Sequence, residues 1–217
     1  MQADTLICKL KQFAPTALNG GEMLEKILDR YISKLLRKEF VLAITSKIIP
    51  ICQKQVVNKT AYSKEELIKK EADAIVDTDC NLCCIYLTIK GNTLIPSTGI
   101  DESDGDEVYI LYPKDVYKAA ISVWNYLRIK HCIKHLGTLI KDSNITPMRL
   151  GVTGIALVWC GFEPLYSYIG KPDLYSKSLQ VTQINLLDAL AASSVLVMEE
   201  QMPMAIIRNA PKTRFLT

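Results

Sequence analysis

The chain has 217 residues, of which 49% are hydrophobic and 23% charged, with only ten glycines and nine prolines; this is the composition of one globular domain and excludes a disordered or fibrous chain. Its 26 basic and 23 acidic residues leave a formal charge of +3, too even a balance to point to nucleic acid or an acidic membrane surface. No basic-then-apolar leader is present, and apolar stretches such as 155–160 and 189–198 fall far short of a membrane span, so a cytoplasmic protein is expected.

In chain order, residues 5–10 read as a first strand. Residues 21–37 read as an amphipathic helix, because Met23, Leu24, Ile27, Leu28, Tyr31 and Leu35 recur at the spacing of one face. Residues 40–45 form a short apolar run suited to a buried strand. Ser63 followed by Glu66 is a capping-box signal for a helix through about Ala74. Residues 83–89, then Lys90-Gly91-Asn92, then 93–95 predict a hairpin, and 107–112 a strand ending at Pro113. Residues 113–134 read as a helix with Ala119, Ala120, Val123, Trp124 and Leu127 inward. Residues 136–140 read as a buried strand followed by a polar loop, and 151–159 as another strand. Residues 185–198 read as an apolar helix, and 204–207 as a strand closing the sheet. The result is a mixed α/β (α+β) single domain over residues 1–217, without repeat, linker or low-complexity tract. The seven cysteines are odd in number and lie mostly in apolar runs, which predicts buried free thiols in a reducing compartment.

Two acidic segments each follow an apolar strand directly: residues 95–104, with Asp101, and residues 139–149, with Asp142. Loops leaving strand ends are where α/β folds gather ligands. Carboxylates offered there by two strands suit Mg²⁺ or Mn²⁺, which takes a few oxygens and keeps water or phosphate in its remaining positions. On pattern alone, turn residues or helix caps are the more ordinary reading of Asp101 and Asp142. A third segment, residues 149–156, places Arg149, with its fork of donors for phosphate or carboxylate, before Gly151 and Gly154. No G-x-x-x-x-G-K-[ST] occurs, so a nucleotide here is not held by a P-loop.

These residues resemble the coenzyme F420-0:L-glutamate ligase (γ-glutamyl ligase) family. Ser97-Thr98-Gly99-Ile100-Asp101 is similar to its NAGID segment, Asp142-Ser143-Asn144 to its metal loop, and residues 149–156 to its RxGxxGxA. Thr45-Ser46-Lys47-Ile48-Ile49 is similar to its early strand end, and residues 161–165, 168–175, 179–182 and 188–192 match in order and spacing. The resemblance covers roughly residues 40–210. It implies a GTP- and divalent-metal-dependent ligase, built as an intertwined homodimer, that joins L-glutamate to an acceptor carboxylate through an acyl phosphate. In that reading Asp101, Asp142 and Arg149 are catalytic, and Asp101, Asp142 and Ser143 hold Mg²⁺ or Mn²⁺. Either Glu199 or Glu200 adds a ligand, and Ser46, Lys47, Gly99, Asp104 and Asn144 lie on the nucleotide side. Residues 142–149 with 109–115 look closest to the family's bacterial folate-linked members, favouring a folate or dihydropteroate acceptor over the deazaflavin F420-0.

The sequence also departs from the family. The late glycine-containing turn reads Val197-Met198-Glu199-Glu200-Gln201, shortened and without glycine; Asp104 replaces an Asn; and Gln53-Lys54 replaces a Glu-Gly. These departures motivate a rival from another class, a nucleotide- or pterin-binding relative that has lost ligation. His131 and His135, four apart, have a spacing that zinc uses but are ordinary as residues near a helix C-terminus. Tyr166, Tyr168 and Tyr175 suit either a substrate cleft or an oligomer interface.

Overall fold

Residues 40–44 are apolar at successive positions, a pattern that a strand can satisfy only when both of its faces are covered. The computed structural model, which describes residues 5–7, 24–31, 39–76, 85–102, 107–146, 148–198 and 202–216, places them in that setting. Its elements are β1 (Thr5–Ile7), α1 (Leu24–Tyr31), β2 (Glu39–Thr45), α2 (Ile48–Cys52), β3 (Val56–Asn58), α3 (Lys64–Glu71), β4 (Ala74–Val76), β5 (Leu87–Lys90) and β6 (Thr93–Pro96). They continue with a 3-10 turn (Ser97–Gly99), β7 (Val108–Ile110), α4 (Val116–His131), β8 (His135–Asn144), β9 (Thr153–Cys160), β10 (Leu165–Ser167), β11 (Gln183–Asn185), α5 (Leu186–Val195) and β12 (Met204–Ile207).

The main sheet has five strands in the order β1-β12-β2-β8-β9. β2 and β8 are parallel, from Glu39↔His135 to Thr45↔Lys141, whereas the other pairs are antiparallel. The period of two along β2 divides its side chains between two cores. Phe40, Leu42 and Ile44 join Leu136, Met204 and Ile206 against Ile27 and Leu28 of α1 and Val123 and Leu127 of α4. Val41 and Ala43 join Leu139, Ala205 and Ile207 against Leu190 and Ala191 of α5, together with Phe162. Each large apolar side chain buried in this way is worth about 1.5–3 kcal/mol, so the two-sided packing anchors the sheet. A smaller unit beside it contains the three-stranded β4-β5-β6 sheet and the β3–β7 pair. Leu67 and Ile68 of α3 pack there with Ile100 and Tyr109.

The structure contains the expected strands near 5–10, 40–45, 107–112, 151–159 and 204–207, with shifted ends, and the helices near 113–134 and 185–198. Of the first helix it describes Leu24–Tyr31, with Ile27 and Leu28 fully buried; Met23 and Leu35 lie outside the described residues. α3 carries the capping box in full: Ser63 Oγ accepts from the Glu66 amide and the Glu66 carboxylate accepts from the Ser63 amide. The β5–β6 hairpin turns on Gly91 (φ 56°) and Asn92 (φ 60°), the two positive φ values that a two-residue hairpin loop needs. Its expected start at Cys83 and Cys84 lies outside the described residues.

Three expectations are corrected. β8 does not end at Ile140: it runs on through Lys141, Asp142 and Ser143 to Asn144, because β2 and β9 offer ladder partners to these polar residues as well. Asp142 is therefore a strand residue rather than a turn or cap residue. The thiols are less buried than the apolar runs suggest, with Cys52 and Cys160 half-buried and Cys132 exposed where α4 ends in a left-handed residue. Finally, α2, β3, β4, β10 and β11 carry no strong periodicity and were not expected.

Candidate functional site

The parallel pair β2–β8 brings two strand ends side by side. Its pairing extends one residue past β2, where the Ser46 amide donates to Lys141 O at 2.8 Å. Ser46 is buried, and its hydroxyl donates to the Asp142 carboxylate. Next in the chain, Lys47 starts α2 and places its Nζ 2.6 Å from Asp101 Oδ2. A register shift between Ile140 and Lys141, which leaves Leu157 of β9 without a partner, lies just before Asp142. Bulges of this kind re-aim side chains next to sites.

Asp101 arrives from the smaller unit. After β6 the chain makes the 3-10 turn, and Asp101 is then pinned to β7 by two backbone hydrogen bonds with Ile110, each 2.9 Å. The turn itself is left-handed at three successive residues, Ser97 (φ 48°), Thr98 (φ 55°) and Gly99 (φ 66°). Two of these are not glycine, and for the β-branched Thr98 this backbone is a real outlier, costing on the order of 1–3 kcal/mol. Gly99 lies against the other carboxylate: a Cβ added there would be 3.6 Å from Asp142 Oδ2, 3.0 Å from Ile95 Cδ1 and 2.9 Å from Tyr112 Cδ2. Only a residue without a side chain fits so close an approach.

The electrostatics follow from burial. Desolvation pushes the Asp142 carboxyl above the usual range, opposed by hydrogen bonds from the Ser143 amide (2.8 Å) and the Ser46 hydroxyl and by the charges of Lys141 and Lys47. Burial also holds Lys141 below the usual lysine range, partly offset by Asp142. Tyr112 is pushed up to about 12, first by burial and then by the charges of Asp142 and Asp73. A buried carboxylate that resists ionisation, with Lys47 close enough to act on it while paired to a second carboxylate, is a hard-oxygen setting that a divalent cation would relieve. The donor set fits Mg²⁺ or Mn²⁺, with Asp101 and Asp142 supplying oxygens from two different strand ends. Among the described residues no cluster of three or more His, Cys, Asp or Glu forms, so any further ligand comes from elsewhere.

Of the residues expected at a site, the structure brings together Ser46, Lys47, Gly99, Asp101 and Asp142. Ser143 and Asn144 follow on β8, Ser143 exposed and Asn144 paired with Thr153. Arg149 lies on the exposed β8–β9 connection, where its amide donates to Thr146 O at 3.1 Å. Asp104, Glu199 and Glu200 lie outside the described residues. The sequence reading missed Lys141, whose signal was a lysine set directly between an apolar run and Asp142. It also missed Tyr112 as a wall of the site and Thr88 beneath it. Elsewhere, His135 Nδ1 is 2.8 Å from Glu39 Oε1 and its ring stacks on Phe215. Tyr166 and Tyr168 meet edge to face at 5.1 Å, with Lys171 and Lys212 over both rings, while Tyr175 is exposed.

Comparison with known proteins finds relatives of the whole chain. The family model of the F420-0:Gamma-glutamyl ligases matches residues 14–209. A coenzyme F420:L-glutamate ligase of Methanococcus maripaludis strain C7 is 33% identical over 215 residues, covering 89% of this chain and 85% of that protein. The ligase of the same name from Methanocaldococcus jannaschii is 30% identical over 190 residues, covering 85% and 74%. That from Methanosarcina mazei is 31% identical over 149 residues, 67% of this chain, and the match spans only 57% of the relative's length. The chain belongs to the F420-0:gamma-glutamyl ligase family.

Proposed function

We propose that the protein is a GTP- and divalent-metal-dependent γ-glutamyl ligase that joins L-glutamate to an acceptor carboxylate. The observation that carries this reading is the meeting of Asp101 and Asp142, from two separate strand ends, around the Lys47 ammonium. In the reaction the acceptor carboxylate attacks the γ-phosphorus of GTP, the bond to the β-phosphate oxygen breaks, and GDP leaves. The glutamate amine then attacks the acyl carbon, loses a proton, and expels inorganic phosphate. A bound Mg²⁺ or Mn²⁺, held by Asp101, Asp142, the Ser143 hydroxyl and either Glu199 or Glu200, would supply positive charge to the phosphate oxygens.

The chain's own groups have definite parts in this scheme. Lys47 offers a second cation for the transferring phosphoryl group, and its contact with Asp101 keeps it aimed at the site. Ser46 and the Ser143 amide fix the orientation of the Asp142 carboxylate. Arg149 would close over the acceptor or phosphate from its exposed connection, while Asp104 and Asn144 would line the nucleotide side. Two observations read the acceptor ring differently. The relatives' names point to the deazaflavin F420-0, whereas the pattern of residues 142–149 and 109–115 resembles folate-linked members.

A second copy of the chain belongs to this proposal. Met148 (102% exposed), Leu150 (104%) and Leu174 (98%) stand in solvent with Val152, Tyr175 and Val181, apolar surface of the kind an interface buries. A homodimer would cover it. No helix among the described residues is long and apolar enough to cross a membrane, and the described cysteines are free, which suits the cytoplasm.

The test is GDP release from GTP with Mg²⁺ or Mn²⁺ and L-glutamate, offering F420-0 and a dihydropteroate or folate in parallel, with products weighed by mass spectrometry. A product heavier by one glutamyl residue is expected and names the acceptor. GTP binding without product from either acceptor would refute ligation and favour the non-catalytic reading.

A further inference from the structure

The three left-handed residues of the Ser97–Gly99 turn are held from beneath by one hydroxyl group. Thr88 lies on β5, fully buried, paired with Ile95 of β6. Its Oγ1 donates to Ile95 O at 2.6 Å and accepts from the Thr98 amide at 2.7 Å. The single hydroxyl proton is committed to Ile95, which leaves a lone pair facing the Thr98 amide. This relay ties β6, two residues before the turn, to the turn's β-branched and left-handed Thr98. The Ser97 amide, donating to Tyr86 O at 2.6 Å, and the Ile100 amide, donating to Ser97 O at 3.0 Å, complete the backbone pairing of the turn. Of these anchors only the one at Thr98 depends on a side chain.

The C-terminal end of the turn reaches both carboxylates. Gly99 lies against Asp142, and Asp101 follows two residues later. We propose that Thr88, which belongs to none of the segments resembling the family, is the positioning residue that holds this turn and thereby sets Asp101 against Asp142. The proposal rests on reading those two carboxylates as the metal-binding pair of the ligase. A buried amide that loses its acceptor seeks another partner, and the backbone turns to find one. Displacing one carboxylate by a fraction of an ångström spoils a shared cation site.

The test compares the wild type, Thr88→Val and Thr88→Ser by Mn²⁺ titration followed by electron paramagnetic resonance, with circular dichroism and thermal melts confirming the fold. Valine keeps the shape and removes the hydroxyl, whereas serine keeps the hydroxyl. Thr88→Val is expected to bind Mn²⁺ roughly 10-fold more weakly, the lower end of the effect of removing a direct partner of a metal ligand, because Thr88 acts on the carboxylates only through the turn. Thr88→Ser is expected to stay within about threefold of the wild type on the same reasoning. Hydrogen exchange at the Thr98 amide of the wild type is an independent readout and is expected to be slow. A folded Thr88→Val protein with wild-type Mn²⁺ affinity, a serine variant as weak as the valine one, or a fast-exchanging Thr98 amide would each overturn the proposal. A wild-type protein that binds no Mn²⁺ would instead remove the metal-dependent ligase reading on which it rests.

Discussion

Replacing Gly99 by alanine probes the tightest approach in the site. Two costs add. Alanine at φ +66° occupies the left-handed region, which costs an L-residue about 1–2 kcal/mol relative to glycine. The new methyl would also lie 2.9 Å from Tyr112 Cδ2 and 3.0 Å from Ile95 Cδ1. Neither neighbour yields easily, because Ile95 is 2% and Tyr112 9% exposed, and overpacking of this kind costs about 1–3 kcal/mol. Against these, alanine stiffens the unfolded chain, offsetting about 0.4–1 kcal/mol. The expected net loss is about 1–5 kcal/mol, a sizeable part of the roughly 5–15 kcal/mol that typically holds a domain together. Urea unfolding of both proteins measures it as a lowered midpoint at an unchanged slope. Asp142 should feel the change too, so GDP release by Gly99→Ala should fall even at temperatures where it is fully folded. A loss below about 0.5 kcal/mol, in the range of an ordinary surface substitution, would refute the close packing of this turn.

Asp142→Asn should abolish GDP release while leaving the metal-free protein as stable as the wild type or more so. The sign follows from linkage. Burial raises the Asp142 pKa in the folded state, so its contribution is fully present below the unfolded value near 3.9 and is lost as pH rises through the folded value. Calorimetry without metal should show the stability difference shifting toward the asparagine variant between acid and neutral pH, by at most about 1.4 kcal/mol per pH unit. A difference that does not change with pH would contradict the burial of that carboxylate. Ser63→Ala removes one half of the α3 capping box and should cost about 1 kcal/mol in urea unfolding with GDP release unchanged. A loss of activity at full folding would mean that α3 reaches the site.

What the sequence conveyed well was local. The capping box of α3 and the Gly91-Asn92 turn are complete within a few residues, and the apolar run of β2 is unambiguous because both of its faces are covered. The continuation of β8 through Lys141-Asp142-Ser143 was not legible, because the partners that make those polar residues a strand come from β2 and β9. Helix α2 was hidden for a different reason. Ile48-Ile49-Pro50-Ile51-Cys52 has poor helix propensity, yet Pro50 falls in the first turn, where no amide needs an intrahelical partner. At the site, Asp101 and Asp142 could be singled out as acidic residues after strands. Their convergence, and the contact of Lys47 with Asp101, depend on pairings between distant segments that spacing does not reveal.

Several unfavourable features of this chain meet in one place. Ser97 and Thr98 in left-handed backbone, an Asp142 carboxylate held above its usual pKa and a desolvated Lys141 all lie where β2 and β8 end. The same strands are flawless a few residues earlier, with Phe40, Leu42 and Leu136 fully buried. Left-handed residues other than glycine also occur in turns elsewhere, Lys54, Asn92 and Lys212 among them, so it is the buried carboxylate and lysine beside this turn that set this end of the sheet apart. Backbone strain and perturbed carboxylates persist only where the surrounding structure holds them, and they cluster at sites whose ligand relieves them. The two-sided core supplies that hold, because its buried strands fix the positions from which Ser46, Lys47 and Asp142 project. A cation and a phosphate at that end would meet both carboxylates and Lys47 together, turning the separate costs of desolvation into paired contacts. The stability that the core provides and the desolvated groups at the strand ends are therefore two parts of one arrangement, and the proposed chemistry rests on the second.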